Sequence, residues 1–146
     1  MKTDLVIGLD SSTTTTKAIA WDKRGRAVAE GRAGVPMSNP KPGWFEQDVG
    51  DWTNGAAKAL KQLSKKIDMA RVGAIAISNQ RESFAQFDSA NRPLRPGTLW
   101  LDERAHAEAK ELAHLIGAEE LHRISGKPSD VTPCISRCLW LAKSMP

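Results

Sequence analysis

Short apolar runs separated by polar turns mark the first part of the chain and predict a series of strands. The runs Leu5–Leu9 and Ala18–Trp21 each predict a strand, because apolar and β-branched side chains pack well on a pleated sheet. The polar segment between them, Asp10–Lys17, predicts the tight turn of a β-hairpin. After a turn at Gly25, the segment Ala27–Val35 predicts a third antiparallel strand.

The pattern then changes to the helical period, which predicts a helix from Asp51 onward with Asp48 or Asp51 as its cap. Val72–Ser78 predicts a strand that is apolar enough to be central and, because a helix precedes it, parallel to an earlier strand. Phe84–Asp88 predicts a fifth strand. Three further helices are predicted: one capped by Asp102 and running through Ile116, a short one over Ala118–Ile124, and a last one with Ile135, Leu139 and Ala142 facing inward.

This order of elements predicts an α/β layered domain. The chain has 146 residues, an ordinary size for one domain. Its net charge of +4 permits binding of phosphorylated molecules, but the basic residues do not form one concentrated block. Because nucleic-acid binding needs a concentrated basic surface, we expect no nucleic-acid partner.

The two cysteines, Cys134 and Cys138, lie four residues apart and have no second pair. They therefore make neither a metal site nor a disulfide framework, and we expect buried thiols. No apolar stretch approaches the length of a transmembrane helix, and the N-terminus lacks the layout of a signal peptide. These features predict a cytoplasmic protein with no membrane partner.

The polar hairpin turn carries the groups needed to hold a polyphosphate with its Mg²⁺. Asp10 offers a carboxylate for a hydrated metal ion, and the threonines offer hydroxyl and backbone N–H donors. Lys17 adds one ammonium group. The alternative is a surface turn rich in serine and threonine, and the stretch alone favours neither interpretation.

A second polar cluster, Ser78–Glu82, follows directly on the strand that ends at Ser78. Ligand crevices in parallel sheets lie beyond the carboxyl ends of the strands. An amide, a guanidinium and a carboxylate at such an end can hydrogen-bond several hydroxyls of one polyol. A plain ion pair between Arg81 and Glu82 in a surface loop is the alternative, and taken in isolation it is the more common arrangement.

Four motifs in register resemble those of a known family. The hairpin resembles the phosphate-binding hairpin shared by sugar kinases, actin and Hsp70 chaperones, with Ser12 where many members carry Gly. Three further motifs follow in the order and near-spacing of the FGGY carbohydrate kinases, which include the glycerol and xylulose kinases: Pro42–Asp48, Asn79–Glu82 and Leu99–Arg104. The resemblance covers essentially all 146 residues, and the chain is identified on these motifs as a member of that family.

The resemblance implies a ribonuclease H-like (actin-like ATPase) domain with a mixed sheet and flanking helices, and ATP-dependent phosphorylation of a sugar, sugar acid or polyol. It implies that Asp10 holds hydrated Mg²⁺ and that Thr13, Thr14 and Lys17 approach the ATP phosphates. For substrate binding it implies the following set: Arg81 and Glu82 at the hydroxyls, Trp100 with its ring face on the sugar carbons, and Asp102 as a helix cap that also lies near the pocket. Core packing is the alternative for Trp100.

By the same resemblance, residues 1–146 are an N-terminal FGGY kinase domain that is incomplete. The catalytic base and the adenosine pocket are expected beyond Pro146, in a C-terminal domain, so we expect the chain alone to be inactive. The substrate stays open: the chain has no Tyr, with Thr132 at the position where glycerol kinases place one, and Gln80–Glu82 stands where xylulose kinases have Gln-Met-His. A homodimer is among the open oligomeric states.

Two other classes of function are kept as alternatives. One is a non-enzymatic, actin-like or Hsp70-like ATP-dependent interaction protein, which would share only the first hairpin. The other is a sugar- or phosphate-binding module or truncated pseudokinase, which would bind ligand without turnover.

Overall fold

The computed structural model describes residues 3–145 and divides the chain into two units. The first unit comprises the residues up to Met37 together with Gln47–Gln80, and the second comprises Ser38–Glu46 together with the residues from Arg81 onward. Pro146, after which further chain is expected, lies outside the described residues. None of the helices within the described range is long and apolar enough to cross a membrane.

The elements confirm most of the predicted order. In sequence they are β1 (Leu5–Ser11), β2 (Thr15–Asp22), β3 (Ala27–Gly34), β4 (Glu46–Gln47), α1 (Val49–Ser64), a 3₁₀ turn (Met69–Arg71), β5 (Val72–Asn79), β6 (Gly97–Thr98), α2 (His106–Ile116), α3 (Ala118–Ser125) and α4 (Cys134–Ser144).

The first unit is a four-stranded sheet in the order β3-β2-β1-β5, with α1 packed on one face. β1 and β2 form the predicted hairpin, β3 pairs antiparallel with β2, and β5 pairs parallel with β1. Alternate residues of the hairpin, such as Ile7 and Ala18, are buried beneath Ala59 and Leu63 of the helix. Burial of this alternating set fixes the register, since a slip of one residue would turn the apolar side chains toward water.

Two expectations for this unit are refined by the structure. Asp48 is the N-cap of α1 and accepts a hydrogen bond from the backbone N–H of Gly50 at 2.7 Å, so the helix begins at Val49, two residues before Asp51. The prediction that the strand at Val72–Ser78 is central is wrong for the described sheet, where β5 is an edge strand. Its Ile77 is 68% exposed, because α1 covers the hairpin and β3 rather than this strand.

In the second unit the predicted fifth strand and the predicted helix start are both wrong. Phe84–Asp88 makes only isolated bridges, Phe84 with Thr98 and Phe87 with Pro93. The segment turns back instead, since Asp88 accepts hydrogen bonds from the Arg92 backbone and side chain. Helix α2 begins at His106 rather than at Asp102, and no side chain caps it.

The buried face of α4 also differs from the expectation. Ile135, predicted to face inward, is 54% exposed, whereas Ser136 and Arg137 are 1% and 0% exposed. Cys134 is half-buried and Cys138 is exposed, so the prediction of buried thiols is wrong. The helix therefore turns polar side chains toward the interior of its unit.

Gly31 on β3 is required by the close approach of α1, and its substitution is the sharpest test of this packing. A Cβ on Gly31 would lie 2.0 Å from the backbone carbonyl oxygen of Ala59, so Gly31→Ala forces the strand and helix apart. We expect a loss of about 1–3 kcal/mol in the free energy of unfolding, measured by urea denaturation. Gly34→Ala on the same strand is the matched control, since nothing lies within 4 Å of its added methyl group. Equal unfolding midpoints for the two variants would contradict this account of the packing.

Candidate functional site

The hairpin places Asp10 and Lys17 directly opposite each other near its turn. The two residues are cross-strand partners in the β1–β2 register, so their side chains lie on the same face of the sheet. Their neighbours Leu9 and Ala18 are buried under α1, and strand alternation therefore puts Asp10 and Lys17 on the opposite face. A carboxylate and an ammonium group thus share one exposed surface at the end of the hairpin.

Backbone hydrogen bonds from elsewhere in the first unit hold the hairpin turn. Three carbonyls accept: Ser11 from Gln80 N–H at 3.0 Å, Thr13 from the Gln47 side-chain amide at 2.5 Å, and Thr14 from Val35 N–H at 2.9 Å. The Ser12 N–H donates to the Thr15 carbonyl at 3.0 Å and closes the turn. The Gln47 amide is itself oriented by the Trp52 indole N–H, which donates to its oxygen at 2.7 Å.

The threonine run divides into two parts with different surroundings. Thr16 is fully buried with its hydroxyl beneath α1, so it cannot reach a ligand on the opposite face. Thr14 is exposed and Thr13 half-buried, both in the turn itself. Of the predicted pair, Thr14 is therefore accessible to solvent and Thr13 is partly accessible.

The hairpin fits a hydrated magnesium ion better than a dedicated metal cage. Among residues 3–145, no group of three or more His, Cys, Asp or Glu side chains could hold a metal ion. Mg²⁺ keeps several waters and is commonly bound through one or two carboxylates together with substrate phosphates. The Asp10 carboxylate is exposed, and its Oδ2 accepts a hydrogen bond from the Ser12 hydroxyl at 2.7 Å, which orients it.

In the second unit, the predicted substrate residue Glu82 combines an unfavourable backbone conformation with a side chain that is held in place. Its backbone φ is +64°, a left-handed conformation that costs a non-glycine residue about 1 kcal/mol or more. Its carboxylate Oε2 accepts the backbone N–H of Cys134, the first residue of α4, at 2.7 Å. Lys127 forms an ion pair with the other carboxylate oxygen, Oε1. Glu82 thus satisfies one of the unpaired N–H groups at the start of α4, where the helix dipole favours negative charge.

Arg137 brings the backbones of three predicted substrate residues together. Its Nη2 donates to the Glu82 carbonyl at 2.6 Å, and its Nη1 lies 3.5 Å from the carbonyl oxygens of both Trp100 and Asp102. The same guanidinium donates to the carbonyls of Val131 and Thr132 at 2.8 and 3.0 Å. Arg81, which precedes Glu82 in sequence, has an exposed side chain.

Trp100 presents a large part of its ring to solvent rather than packing into the core. The residue is 43% exposed, and its backbone N–H donates to the Ser83 hydroxyl at 3.0 Å. Core packing, the alternative interpretation of Trp100, therefore does not describe its surroundings in this unit. An exposed aromatic ring suits contact with the carbon face of a sugar.

Asp102 is fully buried and bound on both oxygens by groups of its own unit. Oδ1 accepts from Arg104 Nε at 2.8 Å, and Oδ2 accepts from Arg104 Nη2 and from the Phe45 N–H, both at 2.7 Å. Arg104 also donates to Glu46 at 2.8 Å. Its guanidinium lies 3.8 Å from the ring centre of Trp44, so Trp44 and Glu46 attach the Ser38–Glu46 segment to this ion pair.

The two buried arginines have opposite pKa shifts for a clear reason. Burial alone would lower the pKa of Arg104, but hydrogen bonds and charge attraction from Asp102 and Glu46 outweigh it and raise the pKa. Burial lowers the pKa of Arg137, and the charge of Asp102 compensates only in part. Arg104 is a partner of carboxylates, whereas Arg137 is a partner of backbone carbonyls.

Sequence reasoning singled out Glu82 and Trp100 as candidates, but it did not find Arg137 and Lys127, which contact them. Arg137 lies in a helix whose apolar positions suggest a different inner face, and its partner Glu82 is 55 residues away. No local pattern signals a contact at that separation. The left-handed conformation of Glu82 could not be predicted from the sequence either, because glutamate ordinarily avoids it.

Comparisons with known proteins agree with this organisation. The N-terminal domain of the FGGY family of carbohydrate kinases matches residues 5–146. Over 145 residues the chain is 28% identical to a glycerol kinase from Leifsonia xyli subsp. xyli, covering 97% of this chain and 29% of that protein. It is 36% identical over 106 residues to an apulose kinase from Pectobacterium atrosepticum, covering 72% of this chain and 21% of the relative.

The fold is also found in a solved structure. A xylulose kinase from Rhodospirillum rubrum superposes with a TM-score of 0.92 at 27% identity, covering 97% of this chain and 30% of that one. The chain thus spans about three-tenths of the length of this xylulose kinase and of the glycerol kinase above.

The buried pair of Asp102 and Arg104 predicts a large effect on stability. Arg104→Met leaves the Asp102 carboxylate buried without its partner, and we expect the free energy of unfolding to fall by about 3 kcal/mol. Arg123→Met is the matched control, because Arg123 is exposed and its pair with Glu120 is a surface pair that contributes little. Urea denaturation of both variants measures the difference. A similar small loss in both would show that the buried pair is not a major source of stability.

Proposed function

Since the chain belongs to the FGGY family of carbohydrate kinases, we propose that the whole protein transfers a phosphoryl group from ATP to a hydroxyl of a sugar, sugar acid or polyol. The observation that carries this proposal is the hairpin, where Asp10 and Lys17 are cross-strand partners beside a turn whose backbone carbonyls accept three hydrogen bonds, two from backbone N–H groups and one from the Gln47 side chain. Catalysis of phosphoryl transfer depends on positioning and on neutralising charge, and a rigid turn of this kind suits both.

In this proposal the hairpin binds the phosphates of ATP. Thr13 and Thr14 approach them through hydroxyl and backbone groups, and Lys17 supplies a positive charge. Asp10 holds the hydrated Mg²⁺, an ion that neutralises developing charge when bound. The Ser12 hydroxyl, already hydrogen-bonded to Asp10, keeps that carboxylate oriented.

The second unit supplies the groups for the substrate. Glu82 accepts hydrogen bonds from substrate hydroxyls, Arg81 donates to them, and Trp100 covers the carbon face with its exposed ring. Asp102 has both oxygens occupied by Arg104 and Phe45, which supports a role in holding the pocket rather than in direct contact with substrate.

We further propose that residues 1–146 are the N-terminal part of a kinase whose catalytic base and adenosine pocket lie in further chain. The support is the coverage, since the chain spans 29% of the glycerol kinase it matches. The related kinases are named for glycerol, apulose and xylulose, which supports a small hydroxylated substrate, and the choice among sugar, sugar acid and polyol stays open.

The intact mass of the protein from its own cells tests this proposal about length. We expect a mass well above the 15.9 kDa of this chain, and native mass spectrometry on the same sample counts the subunits. A native mass of 15.9 kDa would contradict the proposed kinase and favour a binding module without turnover.

Replacing Asp10 distinguishes the role of the phosphate site from that of the substrate site. In the protein at its native length, Asp10→Asn should lower kcat on the order of 100-fold or more, because the charge that holds the metal ion is lost. The affinity for the sugar, measured by calorimetry without ATP, should stay within about twofold of wild type. A normal kcat for this variant would remove Asp10 from the proposed mechanism.

Replacing Arg81 tests the substrate side. Arg81→Ala should raise the KM for the sugar about tenfold, as expected when a charged hydrogen bond to a ligand is lost. The KM for ATP should not change. Arg92→Ala is the control, since Arg92 is an exposed arginine of the same unit paired with Asp88 in a turn. Equal sugar affinity in wild type and Arg81→Ala would exclude Arg81 from the pocket.

A further inference from the structure

The buried guanidinium of Arg137 needs an explanation that helix packing does not provide. Arg137 is 0% exposed in α4, while Ile135 of the same helix is 54% exposed. Moving a charged group out of water is costly unless it is well hydrogen-bonded. Its Nε is buried without a hydrogen-bond partner among the described residues, which adds to that cost.

Every hydrogen-bond partner of Arg137 in the described part of the chain is a backbone carbonyl. They come from three separate segments of the second unit: Glu82, Trp100 with Asp102, and Val131 with Thr132. A side chain that only neutralised charge would pair with a carboxylate, as Arg104 does with Asp102. A planar guanidinium that binds carbonyls of three loops fixes the positions of those loops instead.

The shortest of these hydrogen bonds, 2.6 Å, is made to the residue with the least favourable backbone. Glu82 adopts a φ of +64°, and such a conformation persists only when surrounding contacts hold it. The other two contacts on Glu82 come from Lys127 and from the N–H of Cys134. All three holding groups therefore lie within residues 127–137.

We propose that Arg137 is a positioning residue for the sugar site, holding the Glu82 carboxylate and the Trp100 ring in the mutual arrangement that binds a polyol. This inference rests on the proposed function. Arg137 is too deeply buried to touch a substrate, so it acts through the backbones of Glu82 and Trp100. Thr132, where the resemblance places the variable pocket residue, is held by the same guanidinium.

The first arm of the test measures kinetics in the protein at its native length. Arg137→Met removes all five donors, and Arg137→Lys keeps the charge without the planar fork. The probes are glycerol, xylulose and apulose. For whichever probe wild type phosphorylates, we expect Arg137→Met to raise the KM about tenfold or more, while the KM for ATP stays within about twofold of wild type. Arg137→Lys should be intermediate. The proposal would be overturned if the KM for the probe and the KM for ATP rose in proportion, or if the KM for the probe rose in neither variant.

The second arm reads the position of Glu82 without requiring activity. The Cys134 N–H donates to the Glu82 carboxylate, so its hydrogen exchange reports whether that carboxylate is in place. In Arg137→Met and Arg137→Lys, peptides covering Cys134 should lose protection, while peptides from α2, such as those covering Ala109, keep it. Arg92→Ala is the control, since Arg92 is an exposed arginine of the same unit paired with Asp88, and its loss should leave the Cys134 peptide protected.

The two arms separate failure of this inference from failure of the proposed function. If wild type phosphorylates none of the probes and no other sugar, sugar acid or polyol of a wider panel, but the Arg137 variants lose protection at Cys134, the kinase assignment fails and the positioning role stands. If wild type is an active kinase and protection at Cys134 is unchanged in the variants, the positioning role fails and the kinase assignment stands. Should Arg137→Met not fold, Arg137→Lys decides, and a wild-type KM together with wild-type exchange in that variant overturns the proposal.

Discussion

The cost of burying charge is the constraint on which the second unit depends. Two guanidinium groups are withdrawn from water there, and each must find enough acceptors to offset its lost hydration. Arg104 finds them in Asp102 and Glu46, and Arg137 finds them in five backbone carbonyls. Most of those acceptors lie outside helices and long strands. The arginines therefore hold these segments in position, as the hydrogen bonds of the sheet hold the strands of the first unit.

The first unit reaches a fixed site by a different route. Its hairpin turn is held by strand pairing and by hydrogen bonds to the carbonyls of Ser11, Thr13 and Thr14. The side chain of Gln47 donates one of these hydrogen bonds, and Trp52 of α1 orients it. In a turn fixed through its carbonyls, strand alternation decides which face of the sheet side chains such as Asp10 lie on, and that face can be predicted from the sequence.

Much of the first unit could be predicted for that reason. Short apolar runs predicted the hairpin, the turn at Gly25 led to the prediction of β3, the helical period predicted α1, and Asp48 was one of the two predicted caps. The edge position of β5 could not be predicted, because an apolar run looks the same whether both of its faces are covered or not. The family membership expected from four motifs in register is confirmed by the match over residues 5–146.

The second unit was predicted less well, and the errors share one physical cause. Asp102 has the residue type of a helix cap, yet its carboxylate binds Arg104 and Phe45, so α2 starts later. The apolar pattern of α4 placed Ile135 inside, yet a buried polar network placed Arg137 there. Periodicity counts apolar residues and is blind to polar side chains that are buried because distant partners satisfy them.

The Glu82 carboxylate already binds two protein donors, yet it can still accept hydrogen bonds from a substrate. An ionised carboxylate offers about four lone-pair sites, and the N–H of Cys134 and the ammonium of Lys127 use two of them. The side chain keeps 16% of its surface exposed, so the remaining sites can accept donors from solvent or from a ligand. Both protein donors, Lys127 and the Cys134 N–H, come from residues 127–134. They hold the carboxylate without occupying all of its acceptor sites. A carboxylate held in this way loses little conformational freedom on binding hydroxyls, and that preorganisation is what the unfavourable backbone of Glu82 provides.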